Sequence, residues 1–219
     1  MIKSRYIVGA TLLAISTVAA AGAFDGPSVQ LGVSVNATHT SLKDYSPDGK
    51  VADTNAVGNL SLNYNKTYGD FNLGGGVFAM LGSQKAGSLN SFAFDTGGVW
   101  SDSWKLKNVW GVSIEPGYYV NKSVLAYAKV SYVQATGTNT FDYTQVPDPF
   151  VPGGAGSASH KHQGLGLGAG VKFMITNDLY GAVEIEQIDF NRKSYWTDGA
   201  TETYKPGILK AGVSIGYKF

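Results

Sequence analysis

The sequence predicts an all-β fold, an eight-stranded antiparallel up-and-down β-barrel that crosses a membrane. Three observations carry that prediction. The final segment alternates strictly: Leu209, Ala211, Val213, Ile215, Tyr217 and Phe219 are apolar or aromatic, and the residues between them are Lys, Gly or Ser. A run of that length and pattern suits a tilted strand with one face in lipid and one in a wet lumen. Seven further segments alternate in the same way, and their connections run long, short, long, short, long, short, long. The amino terminus has the form of an export signal: Lys3 and Arg5, an apolar run from Tyr6 to Ala20, then Ala21-Gly22-Ala23 before Phe24.

The first strand is expected over 28 to 39, with Val29, Leu31, Val33, Val35 and Ala37 opposite Gln30, Gly32, Ser34, Asn36 and Thr38. The second, about 54 to 66, sets Leu60, Leu62 and Tyr64 against Asn59, Ser61, Asn63 and Asn65. A short turn at 67 to 70 leads to a third, in which Phe71, Leu73, Val77 and Leu81 interleave with Asn72, Gly74, Gly76, Phe78 and Met80. The fourth faces Trp110, Val112, Ile114 and Tyr118 one way and Ser113, Glu115 and Gly117 the other. After the turn at 120 to 123, Val124, Ala126, Ala128, Val130 and Tyr132 oppose Tyr127, Lys129 and Ser131. The clearest alternation is the sixth, Leu165, Leu167, Ala169, Val171 and Phe173 against Gly164, Gly166, Gly168, Gly170 and Lys172. The seventh follows Thr176-Asn177-Asp178 and becomes ambiguous at Gln187, Asp189 and Phe190, where a bulge is expected. Long loops near 40 to 53, 83 to 103, 137 to 160 and 192 to 204 are expected to face the medium.

Composition agrees with one domain over residues 24 to 219, behind a cleaved signal peptide at 1 to 23. Cys is absent, which excludes the disulfide-stapled exported classes. The 29 glycines recur inside the best strand patterns, where they cost entropy unless a narrow interior needs small side chains. Without Lys3 and Arg5 the chain holds 15 basic against 16 acidic residues, so nothing in its charge favours nucleic acid. A soluble, lipocalin-like sandwich is the alternative that period-2 strands leave open.

Glu115, Lys129, Lys172, Glu184, Glu186 and Lys210 all fall on the polar faces. A lysine or arginine facing lipid at the midplane costs roughly 2–4 kcal/mol, whereas mixed charges in a lumen can pair. A salt-bridged interior plug is therefore expected. Aromatics near strand ends, Tyr64, Tyr68, Phe71, Tyr118, Tyr119, Phe173, Tyr180, Tyr217 and Phe219, are expected to form interfacial girdles.

The export signal, the eight amphipathic strands and the closing Gly-Tyr-Lys-Phe resemble the small outer-membrane β-barrel proteins of Gram-negative bacteria. These are porin-like, eight-stranded barrel domains related to the OmpA-type membrane domain. The resemblance covers residues 24 to 219. It implies that Val213, Ile215, Tyr217 and Phe219 form the terminal signal read by the barrel assembly machinery. It also implies residence in the cell outer membrane among lipid and lipopolysaccharide, passage by way of periplasmic chaperones, and no catalytic residues or cofactor.

The residues agree on catalysis. The histidine bases are His39, His160 and His162, and no Gly-x-Ser-x-Gly elbow is present. His160 and His162 share a strand face but lack a third ligand nearby, and Asp44, Asp48, Asp53, Asp95 and Asp102 do not have calcium-loop spacing. The Gly164 to Gly170 run has period 2 with no following helix, so it is not a phosphate loop. Phe141, Tyr143, Phe150, Val151, Pro147, Pro149 and Pro152, with Trp100, Trp104 and Trp196, are expected to form an external contact surface for a host or surface ligand. The expected role is structural or adhesin-like, with a narrow porin-like channel for small polar solutes as the alternative.

Overall fold

A computed structural model describes residues 22–43, 49–93, 98–145, 154–197 and 200–219. Nearly all of them are strand: β1 (Gly26–Lys43), β2 (Gly49–Tyr68), β3 (Phe71–Leu81), β4 (Gln84–Ala93), β5 (Gly98–Asn121), β6 (Val124–Gln145), β7 (Gly154–Met174), β8 (Leu179–Phe190), β9 (Lys193–Thr197) and β10 (Ala200–Lys218). The order β1-β2-β3-β5-β6-β7-β8-β10 returns on itself through an antiparallel β1–β10 pairing, a closed ring of eight strands. Closure removes every sheet edge from the membrane-spanning part of the wall, as a hydrocarbon surround requires.

β4 and β9 are continuations of strands in that ring. β4 resumes the course of β3 beyond Gly82, whose φ is 93°, and pairs with β5 from Gln84↔Leu106 upward. β9 follows β8 in the same way and pairs with β10.

The outward face is an apolar belt. Leu31, Val33, Leu62, Val77, Ile114, Val130, Leu167, Val183, Val213 and Ile215 are all exposed on it. Tyr64, Tyr68, Phe71, Phe173, Tyr217 and Phe219 stand exposed toward the short-turn end, the place of an interfacial girdle. Two expected members do not: Tyr119 and Tyr180 are buried inside the barrel. Their strand phase, shared with Gly117 and Ala182, points them inward whatever their residue type.

The long connections are much shorter than expected. β1 and β2 reach Lys43 and Gly49, β6 and β7 reach Gln145 and Gly154, and β4 and β9 occupy parts of the other two. Above Trp110, Tyr132, Leu165 and Leu209 the polarity of the faces exchanges. Lys105 and Lys107 lie on the outer face of β5, whereas Trp104 and Leu106 are buried within. Outside the membrane the surroundings are water, so the apolar face turns toward the core.

The same exchange accounts for Gln187 to Phe190. β8 keeps continuous register with β7 from Tyr180 to Phe190, with no bulge. Gln187 and Asp189 face out and Ile188 and Phe190 face in. Register shifts occur elsewhere: between Lys85 and Ser88 of β4, between Tyr119 and Asn121 of β5, and as a bulge in β5 where Lys107 and Trp110 pair with Thr136 and Gln134. Asn108 takes the strain at φ 50°, a conformation asparagine tolerates better than most residues.

Beyond the belt the ring becomes two facing four-stranded sheets, β2-β1-β10-β9 and β4-β5-β6-β7. Leu42, Val51 and Tyr204 of the first pack with Ala86 and Trp104 of the second, and the Trp104 and Tyr204 rings lie 5.9 Å apart. Residues 1–21 and the tips at 44–48, 94–97, 146–153 and 198–199 lie outside the described residues, and with them the leader, Asp44, Asp48, Asp95, Pro147, Pro149, Phe150, Val151 and Pro152.

Candidate functional site

The six charged residues of the polar faces meet inside the barrel. Lys129 Nζ lies 2.9 Å from Glu184 Oε1 and 3.1 Å from Glu186 Oε2. Lys210 Nζ reaches the same two carboxylates at 2.8 and 3.2 Å. A separate pair joins Lys172 Nζ to Glu115 Oε2 at 2.6 Å. Three ammonium groups balance three carboxylates, as burial of this kind requires.

Hydroxyls complete the network. Tyr127 Oη donates to Glu184 Oε2 at 2.9 Å and Ser131 Oγ to Glu186 Oε1 at 2.6 Å. The Lys172 ammonium lies 4.8 Å from the Tyr127 ring centroid, so this tyrosine links the pair to the four-membered cluster. Lys129 and Lys210 stand over the Phe78 ring, at 4.6 and 5.7 Å. Tyr127, Phe78 and Ser131 are partners that residue type alone does not single out. The available signal is an aromatic at a polar-phase position.

Apolar layers close both sides of the charged layer. On the side of the short turns, Phe24, Tyr119, Leu125 and Tyr180 cluster, with the Phe24 ring 6.0 Å from Tyr119 and 5.7 Å from Tyr180. Tyr180 Oη is tied to Ser28 Oγ at 3.1 Å, and Thr67 is hydrogen-bonded to Asp25. On the other side, Val57, Phe78, Met80, Leu106, Val133, Ile188, Phe190 and Ile208 form a buried cluster. Lysines and glutamates therefore sit between two apolar lids.

Other candidates are not assembled into chemistry. His162 is buried, with Nδ1 3.3 Å from the Asn191 carbonyl, while His160 is exposed one turn of the pleat higher on the same face. Among the described residues no group of three or more His, Cys, Asp or Glu side chains is placed to hold a metal. Trp104 is a core residue and does not contribute to an outer contact surface. Phe141 is half-buried, its ring over Gly156. Val213, Ile215, Tyr217 and Phe219 all face lipid, the last two with rings 5.2 Å apart.

An apolar outer belt around a ring of eight strands with charges inside defines an integral β-barrel of an outer membrane. The chain belongs to that family: the model for the outer membrane protein beta-barrel domain matches residues 10–219. No curated protein matches the sequence. Among solved structures it is similar to Ail, the attachment invasion locus protein of Yersinia pestis, at 17% identity and TM-score 0.36, over 87% of this chain and 99% of that one. Neisserial surface protein A is similar at 15% identity and TM-score 0.39, over 86% and 97%. The outer membrane protease OmpT of Escherichia coli is similar at 11% identity and TM-score 0.43, over 90% and 97%.

Proposed function

We propose that this protein is a structural or surface-interaction barrel, adhesin-like in its use of the external sheets and loops, and that it performs no catalysis. The observation that supports this reading is the filled lumen: a neutral charge cluster, its hydroxyls satisfied, between two apolar layers. Such a rigid stave leaves ligand contact to the external segments. Residues 1–23 serve as a cleaved export signal, and 24–219 assemble with the help of periplasmic chaperones and the barrel assembly machinery among lipid and lipopolysaccharide. Mature protein then begins at Phe24, whose ring plugs the inner mouth.

Planar-bilayer recording of refolded protein tests the closed lumen. No reproducible openings are expected, and steady conductance would favour a channel for small polar solutes. Binding of intact cells to immobilised host-surface proteins tests the interaction role. Shortening the β6–β7 connection at 146–153 should reduce it, and unchanged binding overturns the reading.

A further inference from the structure

Above the membrane, among the described residues, main-chain pairing between neighbouring strands lapses in two places. Between β2 and β4 the gap is sealed by side chains. The Asn55 amide donates to the Lys85 carbonyl at 2.8 Å and accepts from the Lys85 amide at 2.9 Å. Val51 fills the space beside Gly87, where an added Cβ would come within 2.5 Å of it.

The gap between β7 and β9 is open among the described residues. The upper part of β7 pairs with β6 along one side, from Gly154↔Tyr143 to His162↔Ala135. Its pairing with β8 begins only at Gly164↔Phe190, and β9 pairs with β10 alone. Among the described residues no strand pairing joins β7 to β9. At the foot of the gap the Asn191 amide donates to the Gln163 carbonyl at 2.7 Å, and the Gln163 amide donates to Asn191 Oδ1 at 3.0 Å.

Both main-chain groups of Gln163 thus point into the gap. These groups alternate between the two neighbours along a strand, so those of Lys161, Ser159, Ser157 and Ala155 point the same way. Among the described residues they form a free row of donors and acceptors on an edge with neither proline nor bulge, flanked by small side chains from Ala155 to Ser159. An added strand would need about 4.8 Å on each side, the ordinary spacing of neighbours in a sheet.

The rim of this gap is basic. Lys161 lies on β7, Arg192 and Lys193 stand exposed at the foot of β9, and Lys205 lies on β10. Of the acidic residues nearby, Asp189 already faces Lys205 at 4.0 Å, and Glu202 lies on β10 across from Tyr195. Asp142 lies beyond, across from Ala155 on β6, and is already engaged.

We propose that the free edge of β7, residues 155 to 161, binds an extended acidic segment of a partner protein by strand addition. Main-chain hydrogen bonds supply affinity in this mode, and side chains at the rim supply selection. The inference rests on the surface-interaction reading and names its site and partner class.

A synthetic extended peptide of alternating Glu and Thr is the probe, added to full-length protein refolded in micelles. Amide exchange at 155, 157, 159 and 161 should slow about tenfold or more on saturable binding, with little change at 156, 158 and 160, already bonded to β6. Ser157→Pro and Ser159→Pro remove gap-facing donors that have no strand partner among the described residues, and should abolish binding. Lys161→Glu with Lys193→Glu should weaken it by about tenfold or more, with reduced salt dependence. A peptide N-methylated at alternate residues keeps its charge but cannot pair, and should not bind even if a proline variant fails to fold. Equal binding of that peptide, no saturable binding of the parent peptide, or dimerisation of the barrel through β7 overturns the proposal. If cells carrying Ser157→Pro and Ser159→Pro bind host proteins normally while the 146–153 variant does not, strand addition fails and the surface-interaction reading stands.

Discussion

Lys129 reaches Glu186 across Gly168. The two groups are 3.1 Å apart, although β7 lies between their strands and Gly168 is the register partner of both. Tyr127 and Glu184 stand in the same relation to Gly170, and Ser131 and Ile188 to Gly166. The glycine face of β7 is clearance that lets β6 side chains lie across one strand and bond to the next.

Filling that clearance should be costly. A Cβ on Gly168 would meet the Ile185 carbonyl oxygen at 2.6 Å, and one on Gly170 the Tyr127 hydroxyl at 2.5 Å and the Val183 carbonyl oxygen at 2.6 Å. Backbone cannot yield as a long side chain does. Gly168→Val and Gly170→Val should each lose about 1–3 kcal/mol or more in urea unfolding from micelles. Gly154→Val, where a Cβ would meet nothing within 4 Å, should leave the midpoint unchanged.

The charge cluster should respond to its balance more than to its size. Lys210→Met leaves Lys129 alone with Glu184 and Glu186, an uncompensated negative charge in a buried site. Breaking such a pair costs about 3–5 kcal/mol. Adding Glu184→Gln restores neutrality, so the double variant should be more stable than Lys210→Met alone. A double variant less stable than the single would mean that geometry, not charge balance, holds the cluster.

The membrane part of the fold is legible residue by residue. Val33 and Val35, Leu165 and Leu167, and Val213 and Ile215 alternate with small or polar neighbours because lipid and lumen demand opposite chemistry. Reading fails where the solvent changes. Lys105, Lys107, Asp189 and Gln187 have the same period with inverted polarity, which imitates a loop or a bulge when apolar-outward is the template. The charged residues can be placed in the lumen from phase alone, but their partners depend on curvature and on the glycine clearance. Tyr119 and Tyr180 show the converse error, residue type preferred over phase.

His162 supplies a pH dependence outside the membrane belt, three residues above Leu165. Burial lowers its affinity for a proton, the Asn191 carbonyl partly opposes this, and Lys193 and His160 add to the lowering. The unfolded imidazole titrates near 6.5. Above that value both states are neutral and the external core keeps its full stability. As pH falls through that value toward the lower folded one, the unfolded state takes the proton first, and stability declines. Protection of the upper β6 and β7 amides, taken relative to the intrinsic exchange rate at each pH, should therefore fall between about pH 7 and 5. His162→Gln should flatten that slope, and an unchanged slope would place its origin elsewhere.

Phe219 separates stability from assembly. Its amide donates to the Pro27 carbonyl at 3.0 Å, yet the residue is 74% exposed, its ring edge-on to Tyr217 at 5.2 Å. Deleting it removes little area buried within the protein, so the urea midpoint after refolding into micelles should shift by no more than about 1 kcal/mol. Recovery from outer-membrane fractions should fall much further if Val213, Ile215, Tyr217 and Phe219 are the signal read during insertion. Lys210→Met supplies the opposite case, since it leaves that outward row intact and disturbs only the lumen. Heat-modifiable, folded barrel in membrane fractions, measured beside the micelle midpoints, distinguishes the two. The deletion should lose yield with little loss of midpoint, and Lys210→Met should lose midpoint first. Normal membrane yield without Phe219 would assign the terminal aromatics to the lipid belt alone.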